Sequence, residues 1–130
     1  MATGSGARRD ERGSATAELV IATPLLLLLI LGIVQFALWE HATHVAQTVA
    51  QQGLAAGRVQ GGDDQAATSE ATSVLTQVGS GVLVTPNVTA TRGNVTTTVV
   101  VTGQAEGILP FLNLPVRSVA TGPTERFTTP

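Results

Sequence analysis

The sequence has no cysteine, which excludes a disulfide framework, a thiolate metal site and a cysteine nucleophile together. Aromatics are scarce: Phe36, Trp39, Phe111 and Phe127 are the whole set, and tyrosine is absent. Base-stacking platforms and aromatic carbohydrate subsites are therefore not expected. Charged residues make up only 12% of the chain and the formal net charge is −2, so there is no basic stripe for a phosphate backbone and nucleic acid is not an expected partner. No Walker loop, dinucleotide fingerprint or G-x-S-x-G motif appears, and enzymatic activity is not expected. With 130 residues, one small domain fits beside a membrane segment. Ala, Thr, Val and Gly dominate the remainder, which suits an exported, β-rich module.

What the sequence does have is a long apolar run. Between Leu19 and Leu38 the only clearly polar side chains are Thr23 and Gln35. About 20 residues at ~1.5 Å each reach roughly 30 Å, the hydrocarbon thickness of a bilayer. Arg8, Arg9 and Arg12 precede the run, and no Lys or Arg follows it until Arg58. That asymmetry keeps the N-terminus in the cytoplasm and places the chain beyond Glu40 outside it. Trp39 fits an interfacial aromatic anchor. Residues 1–13 are expected to form a disordered cytoplasmic leader and residues 14–40 a transmembrane helix. A cleaved secretory signal would have a shorter core ending in a small-x-small site, whereas this run leads into Gln35, Phe36, Trp39 and Glu40. Hydropathy alone does not separate the remaining options from an uncleaved signal anchor.

One acid stands at the mouth of the run: Glu18, the fifth residue after Gly13. An acid at the edge of an apolar segment is costly to insert and usually has a specific partner. A glycine directly before the helix and a glutamate at this spacing resemble the class III signal of type IV prepilins. The sequence Glu11-Arg-Gly-Ser-Ala-Thr-Ala-Glu-Leu-Val, followed by Thr23-Pro-Leu-Leu-Leu-Leu-Leu-Ile-Leu-Gly-Ile-Val-Gln-Phe, resembles TadE-like proteins. These are pseudopilin or minor-pilin-like components of tight-adherence (Flp) pilus systems. The resemblance is strongest over residues 11–40. It implies cleavage after Gly13 by a membrane prepilin peptidase, a new N-terminus at Ser14, and as partners the membrane, other pilin-like subunits and the pilus assembly machinery. The freed ammonium and the Glu18 carboxylate of a neighbouring subunit would neutralise each other in low dielectric, favouring subunits in register. The helix macrodipole also favours a negative charge in these first turns. Two features depart from the major pilins. Ser14 replaces the phenylalanine common after the cut, and the chain is far longer than a major Flp pilin, which points to a minor subunit.

Pro24 removes a helical hydrogen bond, and in a membrane it reads either as a kink used in filament packing or as an ordinary tolerated proline. Gly32 has no GxxxG partner and is assigned no dimer role. Beyond Trp39, Ala42, Val45, Ala46, Val49, Ala50 and Leu54 keep helical spacing, so a helix from about Ala15 to Ala56 is expected. Gly53 and Gly57 weaken it and Gly61-Gly62 end it, with residues 41–62 forming an amphipathic extension and linker. Residues 63–121 are expected to form a small α+β domain and 122–130 a loose tail.

Within that domain, Asp63 or Asp64 caps a helix over 65–78, whose apolar face is Ala67, Ala71, Val74, Leu75 and Val78. Strands then run from Val82 to Thr91, with Pro86 marking an edge, from Val95 to Thr102, and from Leu114 to Thr121. Val95, Thr97, Val99 and Val101 share one face of the second strand. The fold class is α+β: a long transmembrane helix with an amphipathic extension, a short helix and a three-stranded antiparallel sheet, pilin-like in outline.

Other candidates give little chemistry. Glu40, His41 and His44 cluster outside the membrane, but no further His or Cys exists to complete a metal site, so no metal or cofactor is expected. Asn87-Val-Thr and Asn94-Val-Thr match the glycosylation sequon, as chance triplets in a Thr-rich chain do. The apolar loop Ile108–Leu114 reads as a cover for the small sheet, or else as an exposed patch. An unprocessed single-pass protein with an extracytoplasmic ligand-binding domain is the alternative to the pilus reading, and a secreted domain freed by ordinary signal cleavage is a weaker one.

Overall fold

The computed structural model describes residues 5–127, without the side chains of residues 5–10. It divides into two units, Met1–Val34 and Gln35–Pro130. Helix α1 runs over Ser5–Arg58 and belongs to both. It starts earlier than expected, because the segment read as a disordered leader is helical from Ser5 onward. Ala7, Arg8, Arg9, Glu11 and Arg12 are good helix formers, and Gly6 and Gly13 cost only ~1 kcal/mol each. The helix also passes through Pro24. The division into units falls after Val34 rather than after residue 40, because Gln35 and Trp39 are already bonded to the chain around 108–115.

The second unit is α+β. After α1 come helix α2, Asp64–Val78, and strands β1, Leu83–Arg92, β2, Thr96–Ala105, and β3, Pro115–Pro123. The sheet has the order β1-β2-β3 with both pairs antiparallel. Asp63 is the N-cap of α2, its carboxylate accepting from Ala66 N–H at 2.6 Å, and the backbone of Gly79 closes the other end on the Leu75 carbonyl. Pro86 lies on an edge strand, as expected, beside an irregular register between Val84 and Asn87. Thr85 there has φ 49°, an uncommon value for a β-branched residue and one that a bulge accommodates.

The core forms where three periodic stripes meet. Ala42, Val45, Ala46, Val49, Ala50 and Leu54 of α1 are all buried, matching the spacing read from sequence. Alternation on β2 buries Thr97, Val99 and Val101, and alternation on β3 buries Val116, Ser118 and Ala120. Ala67 and Ala71 of α2 complete the cluster. The small residues here are functional in packing: a Cβ on Gly53 would lie 2.9 Å from Ala71 Cβ, and one on Gly57 would lie 2.6 Å from Ala67 Cβ. Gly53 and Gly57 do more than weaken α1, since they let α2 approach its backbone.

Three expectations change, and one open pair of readings is resolved. Val95 belongs to the turn before β2 and is 74% exposed, so it is not on the inner face. Val78, at the end of α2, is exposed rather than part of its apolar face. The tail is not loose as far as Phe127. Strand β3 continues to Pro123, Thr124 N–H donates to Val95 O, Glu125 N–H to Arg58 O, and Phe127 N–H to Gln60 Oε1. Residues 128–130 of that expected tail lie outside the described residues. Finally, of the two readings of the 108–114 loop, the exposed patch describes Ile108, Phe111 and Leu112, and only Leu114 packs against the core.

Candidate functional site: the apolar helix and its two ends

The apolar segment of α1 has no protein covering it. Leu19, Val20, Ile21, Leu25, Leu27 and Leu29 are each more than half exposed. Across the most apolar window of the helix only 6% is buried within the chain. A core helix of a water-soluble protein would be mostly buried, whereas lipid satisfies this surface at no cost. Among the described residues this is one helix long and apolar enough to cross a membrane.

At its N-terminal end, Gly13, Ser14 and Glu18 lie in continuous helix. Nothing lies within 4 Å of where a Gly13 Cβ would be, so packing within this chain does not require glycine at that position. Ser14 and Glu18 are four residues apart, about 6 Å along the axis and on one face. Glu18 is exposed and has no ion-pair partner among the described residues. Arg12 is exposed and its carbonyl accepts from Thr16 Oγ1 at 2.9 Å. The side chains of Arg8 and Arg9 lie outside the described residues.

At the other end the structure brings together groups that are distant in sequence. Gln35 is 1% exposed, and its Oε1 accepts from Ile108 N–H at 3.0 Å. Its Nε2 is buried without a partner among the described residues. Trp39 donates from Nε1 to Pro115 O at 3.2 Å and stands 5.9 Å from the Phe36 ring. Sequence reading treated Gln35 only as a polar interruption of the run, and its isolation there was the one available signal.

Glu40 and His44 form a 3.0 Å pair on the helix surface. Both side chains are well exposed, and His41 does not take part. Arg92, the last residue of β1, binds the C-terminal end of α1. Its Nη1 donates to Gly57 O and, at 2.7 Å, to Val59 O, while Nη2 reaches Glu125 O at 3.2 Å. Cations are favoured at this end of a helix, where carbonyls lack partners. No local pattern announces a contact spanning 35 residues.

Residues 13–54 match a family model. That model describes TadE-like protein. The TadE-like segment begins at Gly13, includes the whole apolar run and ends within the buried stripe of α1. It points to a component associated with the tight-adherence pilus system, and the bare apolar helix fits a single-pass membrane protein of such a system. No curated protein and no solved structure matches the chain.

Proposed function

We propose that the chain is a structural pseudopilin or minor-pilin-like subunit of a tight-adherence (Flp-type) pilus or related secretion apparatus. In this reading a prepilin peptidase cuts after Gly13 on the cytoplasmic side, and Ser14 becomes the N-terminus of a membrane-retained subunit. Arg8, Arg9 and Arg12 hold the leader inside, and the unit from Gln35 onward is extracytoplasmic. The observation that carries the reading is that the TadE-like match begins at Gly13. The open space around that glycine supports it, because the requirement for a residue without a side chain then comes from outside the fold. Cutting within α1 needs the helix to open locally, and glycine lowers that cost by ~1 kcal/mol relative to alanine.

Glu18 is the assembly charge in this account. Cleavage creates an ammonium on Ser14, one turn away on the chain and equally available from a neighbouring subunit. In a bundle of apolar helices each charge alone is strongly disfavoured, and the pair selects the staggered register that joins them. Pro24 supplies a bend for packing among the helices, with neighbouring side chains satisfying the freed carbonyl. The test is a comparison of Glu18→Ala with the parent in cells that carry the peptidase and the assembly system. Cleavage persists and assembly is lost on this account, whereas normal assembly would remove the charge pair from it.

A further inference from the structure

The loop joining β2 to β3 carries Ile108, Phe111 and Leu112 outward, while Leu114 packs against the core. Ile108 is 50% exposed, Phe111 78% and Leu112 36%, and Phe36, next to Gln35 in sequence, is 61% exposed. From Gly107 to Leu114 the chain has no charged residue. Beneath this loop the polarity is reversed, because the amide of Gln35 is buried and bonded to Ile108 N–H. A loop facing water would place the glutamine outside and the phenylalanine inside. A polar group under an apolar cover is the arrangement that a lipid surroundings favours, since an exposed amide in hydrocarbon costs several kcal/mol.

The position of Gln35 in the chain leads to the same environment. The apolar run from Leu19 to Val34 is 16 residues. It provides about 24 Å of helix, short of the ~30 Å hydrocarbon thickness. With Glu18 at the inner boundary, Gln35 falls where the bilayer has not yet ended. We propose that the loop Gly107–Leu114 lies in the outer interfacial zone of the bilayer, shielding Gln35 and setting Ile108, Phe111 and Leu112 against lipid. The occupant of this surface is lipid, because the loop is hydrogen-bonded to Gln35, and Gln35 directly follows the apolar run in sequence. The inference rests on the reading of that run as membrane-spanning. An irregular loop is excluded from the hydrocarbon centre, but the interface tolerates it, and two of its backbone bonds are internal: Ala105 N–H to Leu114 O at 3.0 Å and Leu112 N–H to Leu109 O at 3.1 Å. Trp39, bonded to Pro115 O, takes its place in the same aromatic belt.

The full chain reconstituted in phosphatidylcholine–phosphatidylglycerol vesicles tests this, using phospholipids brominated at shallow or deep acyl positions. Two variants, Phe111→Trp and Leu27→Trp, are read as the emission each adds over that of the parent, which retains Trp39. Phe111 is exposed, so its replacement leaves the fold intact. The added indole at position 111 is expected to emit to the blue and to lose intensity with shallow bromines more than with deep ones. The one at 27 should respond most to deep bromines. Emission from position 111 that stays red and unquenched while position 27 is quenched overturns the loop proposal alone. Blue emission at 111 that is insensitive to bromine and grows with protein density overturns it in favour of contact with a second copy. Absence of quenching at both positions overturns the membrane reading on which the proposal rests.

Discussion

The side-chain oxygen of Gln35 accepts a hydrogen bond from the backbone N–H of Ile108 at 3.0 Å, tying together residues 73 apart in the chain. With the Trp39 Nε1 bond to Pro115 O, it ties the chain around 108–115 to α1 at the point where the apolar run ends. Replacing Gln35 with leucine leaves Ile108 N–H without its acceptor but also removes a buried amide nitrogen that has no partner. The two effects oppose each other, so global stability should change by less than about 1 kcal/mol. Local protection should not be conserved in the same way. Hydrogen exchange at the amide of Ile108 is expected to accelerate about tenfold, the factor that a bond of ~1.4 kcal/mol represents. An unchanged exchange rate would show that the loop is held by other contacts. Gln35→Glu, which buries a carboxylate in the same place, should destabilise by several kcal/mol.

Arg92 supports a second prediction. Its guanidinium serves Gly57, Val59 and Glu125 carbonyls at once. Arg92→Ala should cost about 2–3 kcal/mol, as expected for charge-assisted bonds to carbonyls at a helix C-terminus. Arg92→Lys should fall between, because a point charge cannot reproduce the planar fork. Thermal melting of the detergent-solubilised chain reads both. Equal losses for the two variants would mean that the fork geometry matters and the charge does not.

Close packing of the helices gives a third. Gly57→Ala places a methyl 2.6 Å from Ala67 Cβ, forcing α1 and α2 apart. The gain of ~1 kcal/mol in helix propensity is outweighed by overpacking of about 1–3 kcal/mol, so the variant should melt lower than the parent. Ala67→Gly in the same chain should recover part of the loss. Gly32→Ala serves as the control: nothing lies within 4 Å of its Cβ position, so it should melt at or above the parent temperature. A Gly57→Ala variant as stable as the parent would contradict the packing described for this pair.

These predictions separate what the sequence made legible from what it did not. The stripe of Ala42, Val45, Ala46, Val49, Ala50 and Leu54 could be read because periodicity is local, and all six residues are buried. The cap at Asp63 and the edge position of Pro86 followed from local backbone chemistry in the same way. Gln35, Arg92 and the tail could not be read so, because each acts on partners at least 27 residues away, and that of Gln35 is 73 away. Gly57 illustrates the same limit. A glycine in a helix reads as weakness until the neighbouring Ala67 shows what it makes room for. Val95 was misplaced by carrying the alternation of β2 one residue pair into the turn that precedes it. At the candidate site, Glu18 stood out as an acid at the edge of an apolar run, whereas Gly13 drew notice through the resemblance to type IV prepilin signals.

The glutamate at the mouth of the helix gives a fourth prediction, on charge rather than size. Glu18→Gln keeps the shape and the hydrogen-bonding capacity of the side chain but removes its charge. It should impair assembly nearly as much as Glu18→Ala, because an uncompensated ammonium among apolar helices remains in both variants. Subunit cross-linking in membranes that contain the assembly system measures it. Assembly by Glu18→Gln at the parent level would assign the residue a hydrogen-bonding role in place of an ionic one.

Processing after Gly13 is the step from which the rest of the account follows, and intact-mass measurement of the membrane-extracted chain tests it most directly. The protein is produced with and without a prepilin peptidase and weighed in each case. The account predicts loss of residues 1–13, and only those, when the peptidase is present, with the loss abolished by Gly13→Leu. An unchanged mass in the presence of an active peptidase, or loss of the entire apolar run, would contradict it.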